Sequence, residues 1–282
     1  TNCRHVLMLE KLFRLDGKVV VITGATGLLG KKHAEAVACY GGIPVLLDLS
    51  QQEVTSLANE LNSKYNVGSI GFSVDITDEN AIENNSNQLI ERFGKIDSLV
   101  NNAANNPKIE GSSDINFSRL ENFPINIWSN DVDVGLTGAF LCAKHYGYKI
   151  SLNPNGGSIV NISSDLGLIA PDQRLYKKDG IDNSIQNVKP VTYSVVKAGL
   201  IGLTKYLATY WADKNVRCNA MCPGGVENGQ PEDFLKKVND RIPMGRMATS
   251  DEYQGTLLWM LSDAGSYLNG SIVAIDGGRT AW

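Results

Sequence analysis

Tyr193 and Lys197 stand four residues apart, and Ser164 lies 29 positions upstream of the tyrosine. A Tyr-x-x-x-Lys pair on a helix puts a phenol and an ammonium on one face, one turn apart. Conversion of an alcohol to a carbonyl releases a proton as well as a hydride. A phenol lowered by a neighbouring cation can take that proton, and a serine hydroxyl can steady the developing alkoxide. Ser164, Tyr193 and Lys197 are the catalytic candidates.

Such a set needs a hydride carrier beside it, and the other end of the chain offers a seat for one. The apolar run Val19-Val20-Val21-Ile22 leads into Thr23-Gly24-Ala25-Thr26-Gly27-Leu28-Leu29-Gly30, from which a helix is expected to run to Tyr40. Glycines at a helix start let backbone N–H groups approach a pyrophosphate. Asp48 falls 18 residues beyond Gly30, where a carboxylate can bind both hydroxyls of an adenosine ribose and repel a 2′-phosphate. NAD is therefore favoured over NADP, while Lys31 and Lys32 read as a solvated helix face. The alternative for Asp48 is to cap a helix beginning near Gln51. Asp75-Ile76 and Asn102-Ala103-Ala104 close two further strand-like runs and are expected to border the cofactor, although Asp75 could instead cap the helix near Asp78. Leu49, Pro223, Gly224 and Val226 complete the cofactor-lining set, with Tyr193 and Lys197.

Seven strand-like runs position these groups: Lys18–Thr23, Ile43–Leu47, Ser69–Val74, Ile96–Asn101, Ser158–Ser163, Val216–Met221 and Ser271–Ile275. Amphipathic helical stretches alternate with them. Short apolar strands separated by helices predict an α/β fold, a single Rossmann-like doubly wound domain with a seven-stranded parallel sheet, and ligands at the strands' C-terminal ends. We place the domain over residues 16–282, with 1–15 as an N-terminal arm. Insertions near 105–127 and 165–191 should wall the substrate site, and 224–245 should form a lid. Arg174, Lys177, Lys178 and Arg246 fall near that edge and read either as a site for a carboxylate or phosphate on the substrate or as solvated loop charges.

A net charge of −4 with no clustered basic face argues against a nucleic-acid partner. No apolar run reaches membrane-spanning length. The five cysteines, Cys3, Cys39, Cys142, Cys218 and Cys222, lack metal-type spacing, so no metal is expected and a reducing cytoplasm is the simplest compartment.

From about Leu15 to Trp282 these motifs resemble the short-chain dehydrogenase/reductase family. Asn161-Ile162-Ser163-Ser164, Asn219-Ala220-Met221-Cys222-Pro223-Gly224 and Asp276-Gly277-Gly278 look like further landmarks of it. The resemblance implies a Ser-Tyr-Lys catalytic set on Ser164, Tyr193 and Lys197, and a homotetramer joined through helices around 130–150 and 193–212. Three departures stand out. Leu28 takes the place of the middle glycine of the turn. Gly135 stands where the family offers a catalytic asparagine, so a proton path through Lys197 needs another anchor, such as a main-chain carbonyl of the same helix. The 29-residue spacing of Ser164 and Tyr193 is about double the family's. The Asn102–Pro107 stretch, Gly135 and the Gly-Gly-Arg-Thr-Ala-Trp end look most like a branch linked to sugar-acid and surface-glycan biosynthesis.

The expected function is thus transfer of a hydride between NAD and a secondary alcohol or ketone of a small polar, sugar-like substrate. An NAD-retaining epimerase or isomerase is the second reading, and a nucleotide-binding regulatory subunit the third.

Overall fold

The computed structural model describes residues 9–105 and 117–282. Asn106 and Pro107, much of the 105–127 insertion, and the first eight residues of the expected arm lie outside the described residues. Seven strands form one parallel sheet: β1 (Val19–Thr23), β2 (Ile43–Asp48), β3 (Ile70–Ser73), β4 (Ser98–Asn101), β5 (Gly157–Ile162), β6 (Val216–Pro223) and β7 (Ile272–Ile275). Their order is β3-β2-β1-β4-β5-β6-β7. The chain reverses direction across the sheet between β1 and β4, which leaves a crevice at their carboxyl ends.

Alternation along β1 sorts the core into two layers. Val20 and Ile22 face one side with Ala34 and Val37 of α1 (Leu28–Cys39), Val54 and Leu57 of α2 (Gln51–Tyr65) and Leu257 of α7 (Gln254–Leu261). Val19 and Val21 face the other with Ile82 and Leu89 of α3 (Glu79–Phe93), Tyr146 and Ile150 of α4 (residues 125–151) and Leu207 of α5 (Val191–Tyr210). Both faces are covered, which is why the strands read as almost unbroken apolar runs. Helix α6 (Glu232–Asn239) lies in the segment expected to form a lid.

Helix α4 contains two wide turns, Asp133–Thr137 and Ala143–Gly147, in which the backbone takes π-helical form. Gly135 falls in the first of them. Asn101 and the landmark Asn161 have structural work. Asn101 Nδ2 donates to Asn161 Oδ1 at 2.8 Å, and Asn161 Nδ2 donates to Thr204 Oγ1 at 2.9 Å, a buried ladder from β4 through β5 to α5.

Candidate active site

Close backbone approaches explain two glycines of the turn after β1. Gly24 has φ +62° and backs onto Ala103, whose Cα would lie 2.8 Å from a Cβ at 24. A Cβ on Gly30 would meet the carbonyl oxygen of Gly24 at 2.1 Å. Gly27 opens α1 with no side-chain cap, so the N–H groups of the first helical turn are left to another acceptor. Leu28 is exposed and fills no space within the turn.

Asp48 is tied to this turn. Its Oδ2 accepts from Thr26 N–H at 2.9 Å and Thr26 Oγ1 at 2.7 Å, while Oδ1 accepts from Leu49 N–H at 2.9 Å. It is not the cap of α2. Ser50 does that, accepting from Glu53 N–H at 3.3 Å. Asp78 likewise caps α3, and Asp75 accepts from Thr77 N–H and Oγ1 in a local turn. Ile76 is buried, and its Cδ1 would lie 2.7 Å from a Cβ on Gly138 of α4. Asn102 braces the glycine turn, with Nδ2 donating to the carbonyls of Thr23 and Gly24, both at 3.0 Å. Beyond β6, the Gly224 carbonyl accepts from Tyr253 Oη at 3.0 Å, and Val226 pairs with Ala248. Lys32 is bound to Asp251 at 2.7 Å.

The sheet brings Ser164, at the end of β5, to the first turns of α5, which carry Tyr193 and Lys197. Ser163 is taken up in holding that helix: its Oγ donates to the Lys197 carbonyl at 2.7 Å. Lys197 is buried, and its Nζ donates to the Ile162 carbonyl at 2.8 Å. Its nitrogen lies 5.8 Å from the centroid of the Tyr193 ring. A second ammonium, that of Lys189, sits closer, at 3.9 Å. Burial pushes both lysines down to about 8.

The surroundings of the phenol act in opposing directions. Burial raises Tyr193 above its ordinary value, a hydrogen bond with Ser164 pulls it back, and the Asp165 carboxylate raises it again.

Sequence reasoning missed the pair behind Ser164. Ser164 Oγ donates to Asp165 Oδ1 at 2.8 Å, and Arg279 Nη1 donates to Asp165 Oδ2 at 3.0 Å. Both charged side chains are buried. Arg279 follows the Gly277-Gly278 landmark by one residue, and nothing in its local sequence points 114 positions back to Asp165.

The expected insertion at 165–191 and the expected lid at 224–245 pack against each other. Leu175 of the short helix Gln173–Tyr176 packs with Val238 and Ile242, Tyr176 meets Phe234 with ring centroids 5.9 Å apart, and Lys237 Nζ donates to the Lys177 carbonyl at 2.7 Å. Asp172 binds both Arg174 and Arg241, and these two cations hold its carboxyl well below the usual range. Arg246 makes a two-pronged pair with Glu252, at 2.6 and 2.7 Å. The expected anion-binding arginines are thus engaged by carboxylates of the chain, and Lys177 and Lys178 are exposed.

A family model described as enoyl-(acyl carrier protein) reductase matches residues 24–280, which span the glycine turn, the Ser-Tyr-Lys set and Arg279. The chain belongs to the short-chain dehydrogenase/reductase family. Among its relatives, trans-4-hydroxycyclohexanecarboxylate dehydrogenase of Sinomonas cyclohexanicum is 33% identical over 276 residues, covering 95% of each chain. D-threitol dehydrogenase of Mycolicibacterium smegmatis is 31% identical over 279 residues, again 95% of each. A solved structure of NAD+-bound xylitol dehydrogenase superposes with a TM-score of 0.81 at 25% identity, over 94% of this chain and 99% of that one. Members of the short-chain dehydrogenase/reductase family act on CH–OH groups and use NAD(P). Among the described residues no helix is long and apolar enough to cross a membrane.

Proposed function

We propose that this short-chain dehydrogenase/reductase interconverts a secondary alcohol and a ketone on a small polar, sugar-like molecule, with NAD as the hydride carrier and Tyr193 as the general acid/base. The supporting observation is the meeting of Ser164, Tyr193 and Lys197 at one sheet edge, with the lysine buried and anchored on Ile162. The threitol and cyclohexanecarboxylate dehydrogenases among its relatives support a hydroxylated substrate, and the resemblance to a sugar-acid branch narrows the choice to sugars and sugar acids.

The residues present fit a dinucleotide. The uncapped start of α1 suits a pyrophosphate, Asp48 beside it suits ribose hydroxyls, and Ala103 and Ala104 leave the backbone open to close approach. When bound, NAD supplies the hydride-accepting ring and a positive charge next to the phenol. The chain's own part is to hold the alcohol oxygen between Ser164 and Tyr193, move its proton, and exclude water beneath the joined insertion and lid.

Exposed apolar side chains on α4 and α5, among them Phe140, Tyr148, Tyr206 and Tyr210, support the homotetramer implied by the family. Free cysteines at 39, 142, 218 and 222 support a reducing cytoplasm. The test is a 340 nm assay with NAD over polyols and sugar acids, alongside Tyr193→Phe. Conversion by the wild type and a loss of at least about 100-fold in the variant are expected. NADH binding without turnover of any alcohol would overturn the reading.

A further inference from the structure

We propose that Asp165 is a positioning residue: by holding the hydroxyl proton of Ser164 it leaves the serine oxygen to accept from Tyr193, and so readies the resting site to give a proton to a ketone. The proposal rests on the dehydrogenase reading and adds to it the pH range in which each direction runs. Ketone reduction belongs near neutral pH, and alcohol oxidation is pushed to the alkaline side.

A serine hydroxyl has a single proton to give and lone pairs with which to receive. Ser164 Oγ gives its proton to Asp165 Oδ1 at 2.8 Å and accepts from the Leu166 N–H at 3.2 Å. A hydrogen bond to a carboxylate is about twice as strong as one between neutral groups. This carboxylate is also fixed in place. Arg279 Nη1 donates to its Oδ2 at 3.0 Å, the Leu166 N–H donates to its Oδ1 at 2.8 Å, and both charged side chains are buried.

Ser164 and Tyr193 are themselves hydrogen-bonded. With the serine's proton committed to Asp165, the proton between them has to be the phenol's. A phenolate there would face a serine oxygen with no proton to offer and, beyond it, the charge of Asp165, which raises Tyr193. The other groups facing the phenol come from three elements. Lys197 of α5 is held on the Ile162 carbonyl, and Lys189 of the expected insertion lies over the ring, 3.9 Å from its centroid. Tyr176, also of that insertion, is raised to about 12 by burial. Asp131 of α4 accepts from Thr192 Oγ1 at 2.6 Å and borders one cavity with Lys189 and Tyr193. Among the described residues Asp165 is the one charged group bonded to Ser164.

In reduction the carbonyl oxygen takes the phenolic proton of Tyr193 while the carbonyl carbon takes a hydride from a reduced nicotinamide, giving the alcohol and a phenolate. The phenolate then takes a proton from solvent, which restores the starting site. Asp165 exchanges no proton in this sequence and acts through Ser164.

Two arms test this on the full chain, each in wild type, Asp165→Asn and the charge-balanced Asp165→Asn/Arg279→Met. In the unliganded protein the Tyr193 phenol is titrated by carbon-13 NMR, its signal assigned with Tyr193→Phe. In both variants the midpoint should fall by about one pH unit, the low end for loss of a nearby like charge. An unchanged or higher midpoint would overturn the proposal. With a polyol or sugar acid that the wild type converts, kcat/KM for oxidation should climb to a limb on the alkaline side of neutrality, and that limb should move down by about one pH unit in both variants. Lower rates in both directions with neither limb displaced would mark a merely structural role and sink the idea. Failure of the wild type to convert any alcohol would strike the dehydrogenase reading instead, and the phenol titration would still decide whether Asp165 governs Tyr193.

Discussion

Gly135 of α4 and Val196 of α5 meet so closely that a Cβ at 135 would lie 2.5 Å from Val196 Cγ1. The contact seals α4 against the helix that carries Tyr193 and Lys197. Gly135→Asn should cost about 1–3 kcal/mol through overpacking, and Val196→Ala in the same chain should recover part of it. Urea unfolding of the single and double variants checks this, and an additive double variant would count against direct contact.

Arg279 and Asp165 form a buried ion pair at 3.0 Å directly behind Ser164. Removing one partner strands the other charge. Arg279→Met should destabilise the fold by about 3–5 kcal/mol, and Asp165→Asn added to it should recover a large part. Guanidinium unfolding measures the balance, and a cost below about 1 kcal/mol for Arg279→Met would show that solvent reaches the carboxylate.

Burial holds Lys197 at about 8, below its ordinary value of 10.5. Because the unfolded chain keeps its lysine proton up to the higher value, it binds more protons than the folded chain between pH 8 and 10.5. In that window this group makes stability rise with pH, and below pH 8 its full cost is present. Relative to Lys197→Met, the wild type should therefore gain unfolding free energy from pH 8 to 10.5. A flat difference across that range would show a lysine that is not desolvated.

Asp48 is bound to Thr26 and stands at the end of β2 beside the uncapped start of α1. Asp48→Ala should weaken NADH about 10- to 100-fold, the worth of a hydrogen bond to a charged group. NADPH should suffer less, because a repulsive carboxylate has also gone. Calorimetric titration of both nucleotides decides the matter, and a wild type that prefers NADPH would reverse the assignment.

Arg174 and Arg246 are exposed and paired with Asp172 and Glu252. Arg174→Ala and Arg246→Ala should each leave KM for a sugar acid within about twofold, since exposed pairs contribute little. A tenfold rise in either variant would restore these arginines to the substrate site.

The sequence alone determined the parallel sheet and put the candidate residues at its carboxyl edge, because strand periodicity, the glycine turn and a four-residue Tyr-Lys spacing are local signals. All seven strand-like runs match observed strands to within two residues. Asp48 stood out for a similar reason, since the end of β2 is set by its distance from the turn. What the tertiary structure decided is long-range: Arg279 against Asp165, Asp131 and Lys189 around one cavity, and Phe234 of the lid against Tyr176 of the insertion. These residues are unremarkable where they stand in the chain. Their electrostatics arise only when packing removes water, and that same desolvation sets Tyr193 and the two lysines in directions that spacing could not foretell.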